Sequence, residues 1–129
     1  MILDSTFFVD LERETARSKP GGAMRFLEEQ ADTPLCLTFT IAGELAAGES
    51  LGQDRARWEA FLAPFRFLDY RADVGWRFGL VYRDLRMRGA LIGANDLWIA
   101  ATALAYNLPL VTRNREEFAR VSGLEVLGY

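Results

Sequence analysis

Apolar residues recur along this chain in short blocks, and the blocks alternate between two periods. Met1 to Asp4 reads as a short buried strand that runs directly into a helix carrying Phe7, Phe8 and Leu11. Lys19-Pro20-Gly21-Gly22 is a breaker, after which a second helix runs through Phe26, Leu27 and Ala31. Leu35 to Thr38 is a second strand, and a helix beginning near Thr40 and ending by Gly48 places Ile41 and Leu45 on one face. Trp58, Phe61, Leu62 and Phe65 fall at i, i+3, i+4 and i+7, the spacing of an amphipathic helix. A third strand is expected over Phe65 to Leu68. Val74, Phe78, Val81 and Leu85 repeat the helical spacing in a longer helix that stops before Gly89. Leu97, Ala100, Ala101, Leu104 and Leu108 mark another, with Asn107 and Pro109 as its stop. Pro109 to Thr112 and Glu125 to Leu127 complete the strands.

Short apolar strands alternating with helices predict an α/β fold whose mostly parallel sheet is covered on both faces. The chain has 129 residues and no internal repeat, low-complexity tract or linker, so residues 1–129 are read as one domain. A domain of this size buries roughly 68% of its unfolded surface. In such folds ligands bind outside the carboxyl ends of the strands. Asp4 and the run Thr112-Arg113-Asn114 both lie there, on the same edge.

Half of the residues are apolar, which argues for a packed core rather than disorder. Cys36 is the only cysteine, so no intrachain disulfide forms, and a buried thiol in a reducing cytoplasm is the expected setting. The acid at position 4 is unlike a signal peptide, and no apolar run approaches the ~18 residues of a membrane span. A soluble, cytoplasmic protein without a membrane partner is therefore expected. The net charge of −3 argues at first against a nucleic-acid partner. Bound divalent cations would reverse that sign locally. Lys19 is the only lysine, and arginine makes bidentate contacts to phosphate that lysine cannot.

Three acids stand at the ends of apolar segments: Asp4 in MILDSTF, Glu44 in LTFTIAGELAAG and Asp96 in LIGANDLWIAATAL. Singly, each has an ordinary reading. Asp4 serves as an N-cap, as Ser5 or Thr6 also would. Glu44 is an early-helix glutamate favoured by the dipole, at the margin of the Ile41 stripe. Asn95 or Asp96 caps the Leu97 helix. Together, carboxylates gathered at one sheet edge in a chain with no histidine make a site for a hard cation. Asp10, Glu12 and Glu14 are read as a solvated helix face. Asp54, Glu59, Asp69, Asp73 and Asp84 are read as surface partners of nearby arginines. Arg77, Arg83, Arg86 and Arg88 form either a solvated face or a phosphate-steering patch.

In order along the chain, MILDSTFFVD, TFTIAGELAAG, ANDLWIAATALAYNLPLVTRNREEF and VSGLEVL resemble the PIN-domain family, specifically the VapC-type toxin ribonucleases. The resemblance spans nearly the whole chain, though Leu51 to Arg88 matches only in helical character. It implies a three-layer α/β/α sandwich and an endoribonuclease dependent on Mg²⁺, with Mn²⁺ as a substitute. It matches Asp4, Glu44 and Asp96 to the family's three acids, as metal ligands and catalytic groups. Ser5 or Thr6 matches the hydroxyl that follows the first acid. A fourth acid often stands where this chain has Asn114, with Glu116 and Glu117 next, so one metal is expected and a second is left open. An RNA substrate, an antitoxin covering the active-site edge and a homodimer are further implications. Two alternatives stand beside the toxin: an RNA-processing nuclease of the same fold, and a catalytically silent binding module.

Overall fold

In the computed structural model, which describes Met1 to Tyr129, five short strands form one sheet in the order β3-β2-β1-β4-β5. The strands are β1 (Ile2–Leu3), β2 (Cys36–Thr38), β3 (Arg66–Leu68), β4 (Leu110–Val111) and β5 (Val126–Leu127), and every adjacent pair is parallel. The helices are α1 (Ser5–Ala16), α2 (Gly22–Glu29), α3 (Phe39–Ala47), α4 (Arg55–Leu62), α5 (Ala72–Met87), α6 (Ala94–Tyr106) and α7 (Arg115–Phe118). A 3₁₀ turn over Leu51–Gln53 lies between α3 and α4.

From β1 the chain steps outward to β2 and β3, then crosses back beside β1 to enter β4 and continues to β5. Parallel crossovers are right-handed, so the two directions of travel put α1–α4 on one face and α5–α7 on the other. Reversal of direction between β1 and β4 creates a crevice at their carboxyl ends, the place where open α/β sheets bind ligands. The register pairs Ile2 with Leu110 and Leu3 with Val111, so both strands end level, at Asp4 and Thr112.

The central strands are fully buried, as an apolar run covered on both faces should be: Ile2, Leu3, Leu110 and Val111 show no accessible surface. Phe7 and Phe8 of α1 fill one side of the sheet. Phe7 meets Phe26 and Tyr129 edge-to-face, and Phe8 meets Phe65 at 4.9 Å between ring centroids. Cys36 is the buried free thiol expected of it. No helix is long and apolar enough to cross a membrane.

Several boundaries differ from the sequence expectation. The Trp58 helix ends at Leu62, so Phe65 lies outside it. Ala63 keeps helical dihedrals, but Pro64 has no N–H to donate to the preceding turn, so the helical ladder stops there. The end of α5 before Gly89 is as expected: Gly89 adopts φ +64°, and the Ala90 N–H closes the helix by donating to the Leu85 carbonyl at 2.8 Å. Asn107 takes the left-handed position after α6 (φ 53°), which leaves Leu108 outside the helix.

The supposed solvated face of α1 holds the fold together instead. The Glu14 carboxylate accepts from Ala23 N–H at 3.1 Å and Met24 N–H at 2.9 Å, capping α2 from another helix. A Cβ on Gly21 would stand 2.4 Å from that carboxylate, so the glycine is needed for the close approach. Asp10 takes both Arg113 Nη1 contacts, at 2.8 and 2.9 Å, and the Tyr129 hydroxyl. Glu12 pairs with Arg57 at 3.3 Å. Asp54 caps α4, whereas Glu59, Asp73 and Asp84 make the exposed arginine pairs expected of them. Tyr70 and Trp76 are exposed, while Tyr82 is half-buried and stacks with Phe78.

Glu14→Ala leaves two N–H groups of α2 without an acceptor and is expected to destabilise the protein by about 1–2 kcal/mol. Exposed Glu28→Ala should stay within about 0.5 kcal/mol of wild type. Urea midpoints at unchanged m-value measure both.

Candidate active site

Asp4 sits where β1 becomes α1, its backbone in the N-cap position but its side chain making no cap hydrogen bond. The carboxylate turns instead across the crevice. Thr112, at the end of β4, donates to Asp4 Oδ2 at 2.7 Å, and Thr6 donates to the same oxygen at 3.2 Å. Asp4 is 2% exposed, and its Oδ1 has no hydrogen-bond partner. The capping reading of Asp4 therefore does not hold. Thr112 itself is fully buried, and the Asn114 N–H donates to its Oγ1 at 3.0 Å.

Glu44 is reached through a cap of another kind. Thr38, the last residue of β2, accepts the Ile41 N–H at 3.2 Å and starts α3, so Glu44 lies just past the first turn and faces Asp4. Glu44 Oε1 is buried without a partner. Burial first, and the Asp4 charge second, raise the Glu44 carboxyl above its ordinary value, while Asn95 and Ser5 beside it pull the other way. Burial likewise raises Asp4, against the hydroxyls of Thr112, Thr6 and Ser5.

Asp96 is in the first turn of α6, whose N-cap is Gly93, with no side-chain cap. It is pushed up to about 7, by burial first and then by Glu117, Asp4 and Glu44. Glu117 acts both by its charge and through a hydrogen bond to Asp96. Four carboxyl groups therefore interact at the crevice: Asp4, Glu44, Asp96 and Glu117.

Ser5 and Thr6 both fall beside the acids, as the sequence suggested. Asn114 contributes its backbone N–H to Thr112, while Glu117, one turn further on, reaches Asp96. Glu116 is exposed and, with Asn114 and Glu117, lines a wholly polar groove of about 420 Å³ with Arg113, Arg115 and Arg120. These three arginines, rather than the α5 group, adjoin the acids. Arg88, just past the end of α5, is engaged by Asp84 and the Arg120 carbonyl. In the sequence Thr112 and Asn95 are not distinguishable as site residues, because threonine and asparagine at element ends are ordinary caps. The level ends of β1 and β4 were the only signal for Thr112.

The residues fit a divalent cation. Asp4 Oδ1 and Glu44 Oε1 are buried acceptors with nothing to accept from, and such orphaned groups are costly. The donor set is all oxygen, which suits a hard ion. No three His, Cys, Asp or Glu side chains are drawn close enough to clasp an ion by themselves. Like charges repel, and a strongly hydrated ion such as Mg²⁺ needs only one or two carboxylates and keeps several waters.

A PIN-domain family model matches residues 1–124. The chain belongs to the PIN-domain family. Among its relatives, Ribonuclease VapC1 of Methanocaldococcus jannaschii is 45% identical over 128 residues, covering 98% of this chain and 85% of that protein. Ribonuclease VapC2 of Haemophilus influenzae is 42% identical over 94 residues, covering 70% of this chain and 71% of that protein. Among solved structures, VapBC2 of Rickettsia felis bound to a promoter DNA fragment superposes with a TM-score of 0.83 at 26% identity, covering 99% of this chain and 97% of that one. VapBC-1 of nontypeable Haemophilus influenzae gives 0.81 at 24% identity, covering 98% and 96%, a likeness of fold. The α/β architecture and the family expected from the sequence both hold.

Asp96 binds its proton more tightly in the folded chain than in the unfolded one, where it titrates near 3.8. That contribution to stability is fully present below the unfolded value and is lost as pH rises through about 7. In chelator, Asp96→Asn should therefore gain on wild type by a few degrees in Tm as pH rises from about 4 to about 7.5. An unchanged difference across that range, read by thermal melts, contradicts the assignment.

Proposed function

We propose that this chain is a divalent-metal-dependent endoribonuclease of the VapC type, a toxin held in check by an antitoxin protein. The observation that carries the reading is the set of acids at the β1–β4 crevice, with buried oxygens left without donors, in a chain related throughout to VapC ribonucleases. The solved relatives are VapBC toxin–antitoxin complexes, which supports the protein partner.

Asp4 and Asp96 would hold the cation, with Glu44 and Glu117 completing its shell directly or through water. Mg²⁺ suits this oxygen set, with Mn²⁺ as a substitute. When bound, the cation supplies a water of lowered pKa and neutralises charge on the scissile phosphate. Thr112 and Thr6 hold the Asp4 carboxylate by donating to Oδ2, which keeps Oδ1 free. Glu44 presents its free Oε1 as the acceptor for the proton of the attacking water. Arg113, Arg115 and Arg120 line the polar groove beside the acids, where guanidinium groups bind backbone phosphates bidentately. Asp10 orients Arg113 from behind through paired contacts and is itself held by Tyr129. An antitoxin that covers this edge would place a basic or aromatic side chain among the acids.

Asp4→Asn keeps the side-chain shape and removes its charge. It is expected to lower RNA cleavage in Mg²⁺ by about 100-fold or more, towards the level seen in chelator. Cleavage equal to wild type would sink the site assignment. Glu117→Gln should weaken Mg²⁺ binding by roughly 10-fold in calorimetry, and Asn114→Ala by less.

A further inference from the structure

Bordered by Glu44, a second groove of about 520 Å³ opens between α3 and α6. Phe39, Thr40, Gly43 and Glu44 line it from α3, and Asn95 and Trp98 from α6. Its chemistry differs from that of the arginine groove, since aromatic faces here alternate with amide and hydroxyl groups. We propose that this groove is a nucleobase subsite, which takes one unpaired base adjoining the scissile phosphate of single-stranded RNA. The proposal rests on the ribonuclease reading above and adds to it where a substrate base is held.

Contiguity with the acids is the first argument. Glu44 belongs to both sites, and Asn95, which lines the groove, also acts on the Glu44 carboxyl. On α6, Asn95 follows the arc from Asp96 towards Trp98, which lies at i+3 from it on the same face. A strand whose phosphate lies at the acids therefore has its neighbouring base at the mouth of this groove.

Rigidity is the second. Trp98 stacks on Phe78 with ring centroids 4.1 Å apart and planes 25° apart. Phe39 meets Trp98 edge-on at 6.2 Å and Tyr70 at 6.3 Å. A base entering such a site stacks on aromatic groups already fixed by their neighbours, so little side-chain freedom is lost.

Polarity selects the occupant. The exposed Asn95 amide carries both donors and an acceptor at the groove. A base edge offers both complements, whereas an apolar protein side chain would leave the amide unpaired. Gly43 is consistent with a groove kept open. A Cβ there would meet nothing within 4 Å, yet α3 carries glycine at a mid-helix position where alanine would be about 1 kcal/mol more favourable.

Gly43 also supplies the test, because its Cβ position is open and Gly43→Leu projects a side chain into the groove. In an Asp4→Asn background, short single-stranded RNAs carrying 2-aminopurine at successive positions are titrated in Mg²⁺, and stacking is read as quenching. One position should quench strongly, and Gly43→Leu and Phe39→Ala should each weaken binding of that probe by roughly 5- to 100-fold. An RNA with an abasic residue at the same position should bind equally well with and without Gly43→Leu, and thermal melts confirm that both proteins are folded. Equal quenching and affinity with and without Gly43→Leu overturn the proposal, and so does a Gly43→Leu defect confined to antitoxin binding. Stacking is read by fluorescence and cleavage by the separate Asp4→Asn assay, so failure of one is distinguishable from failure of the other.

Discussion

The hydrogen bond from Thr112 to Asp4, 2.7 Å long and fully buried, joins the two strand ends on which the whole arrangement turns. It exists because β1 and β4 are parallel neighbours in level register, although more than a hundred residues separate them in the chain. Every other acid is positioned relative to that pair. The cap at Thr38 sets where α3 begins and so where Glu44 falls, and the uncapped turn after Gly93 leaves the Asp96 side chain free to face inward. A buried aspartate at this point is costly, and the hydroxyls of Thr112 and Thr6 offset part of that cost.

The crevice is consequently held against its own electrostatics. Burial raises Asp4, Glu44 and Asp96 together, and repulsion between the carboxylates adds to it at Glu44 and Asp96, a conflict that a hydrophobic core would never contain. The proposed function gives a reason for it to persist. Groups gathered to receive a cation are poorly matched to one another until the cation is present. The surrounding core of Phe7, Phe8, Ile2 and Leu110 supplies the rigidity that keeps them gathered.

Most of the architecture was legible in local pattern. Short apolar runs between helical repeats located every strand, and the spacing of Val74, Phe78, Val81 and Leu85 located α5 to within two residues of its end. The ends failed where a proline intervened, as at Phe65. Asp4, Glu44 and Asp96 were visible as candidates because each stands at the junction of an apolar segment. Asp10 and Glu14 were misread as solvated, since their partners, Arg113 with Tyr129 and the N-terminus of α2, are brought near only by packing.

The same limit separates Asn114 from Glu117. Counting along the chain from the last strand pointed to Asn114, but the short helix α7 turns its backbone towards Thr112 and sends Glu117 to Asp96. By itself the sequence determined the elements, the core and the carboxylates available for chemistry, because these depend on periodicity and residue type. Only the tertiary structure decided which acids meet, which hydroxyls serve them and which aromatic rings flank them. Those choices depend on distances between segments remote in sequence, and only strand order and helix packing determine such distances.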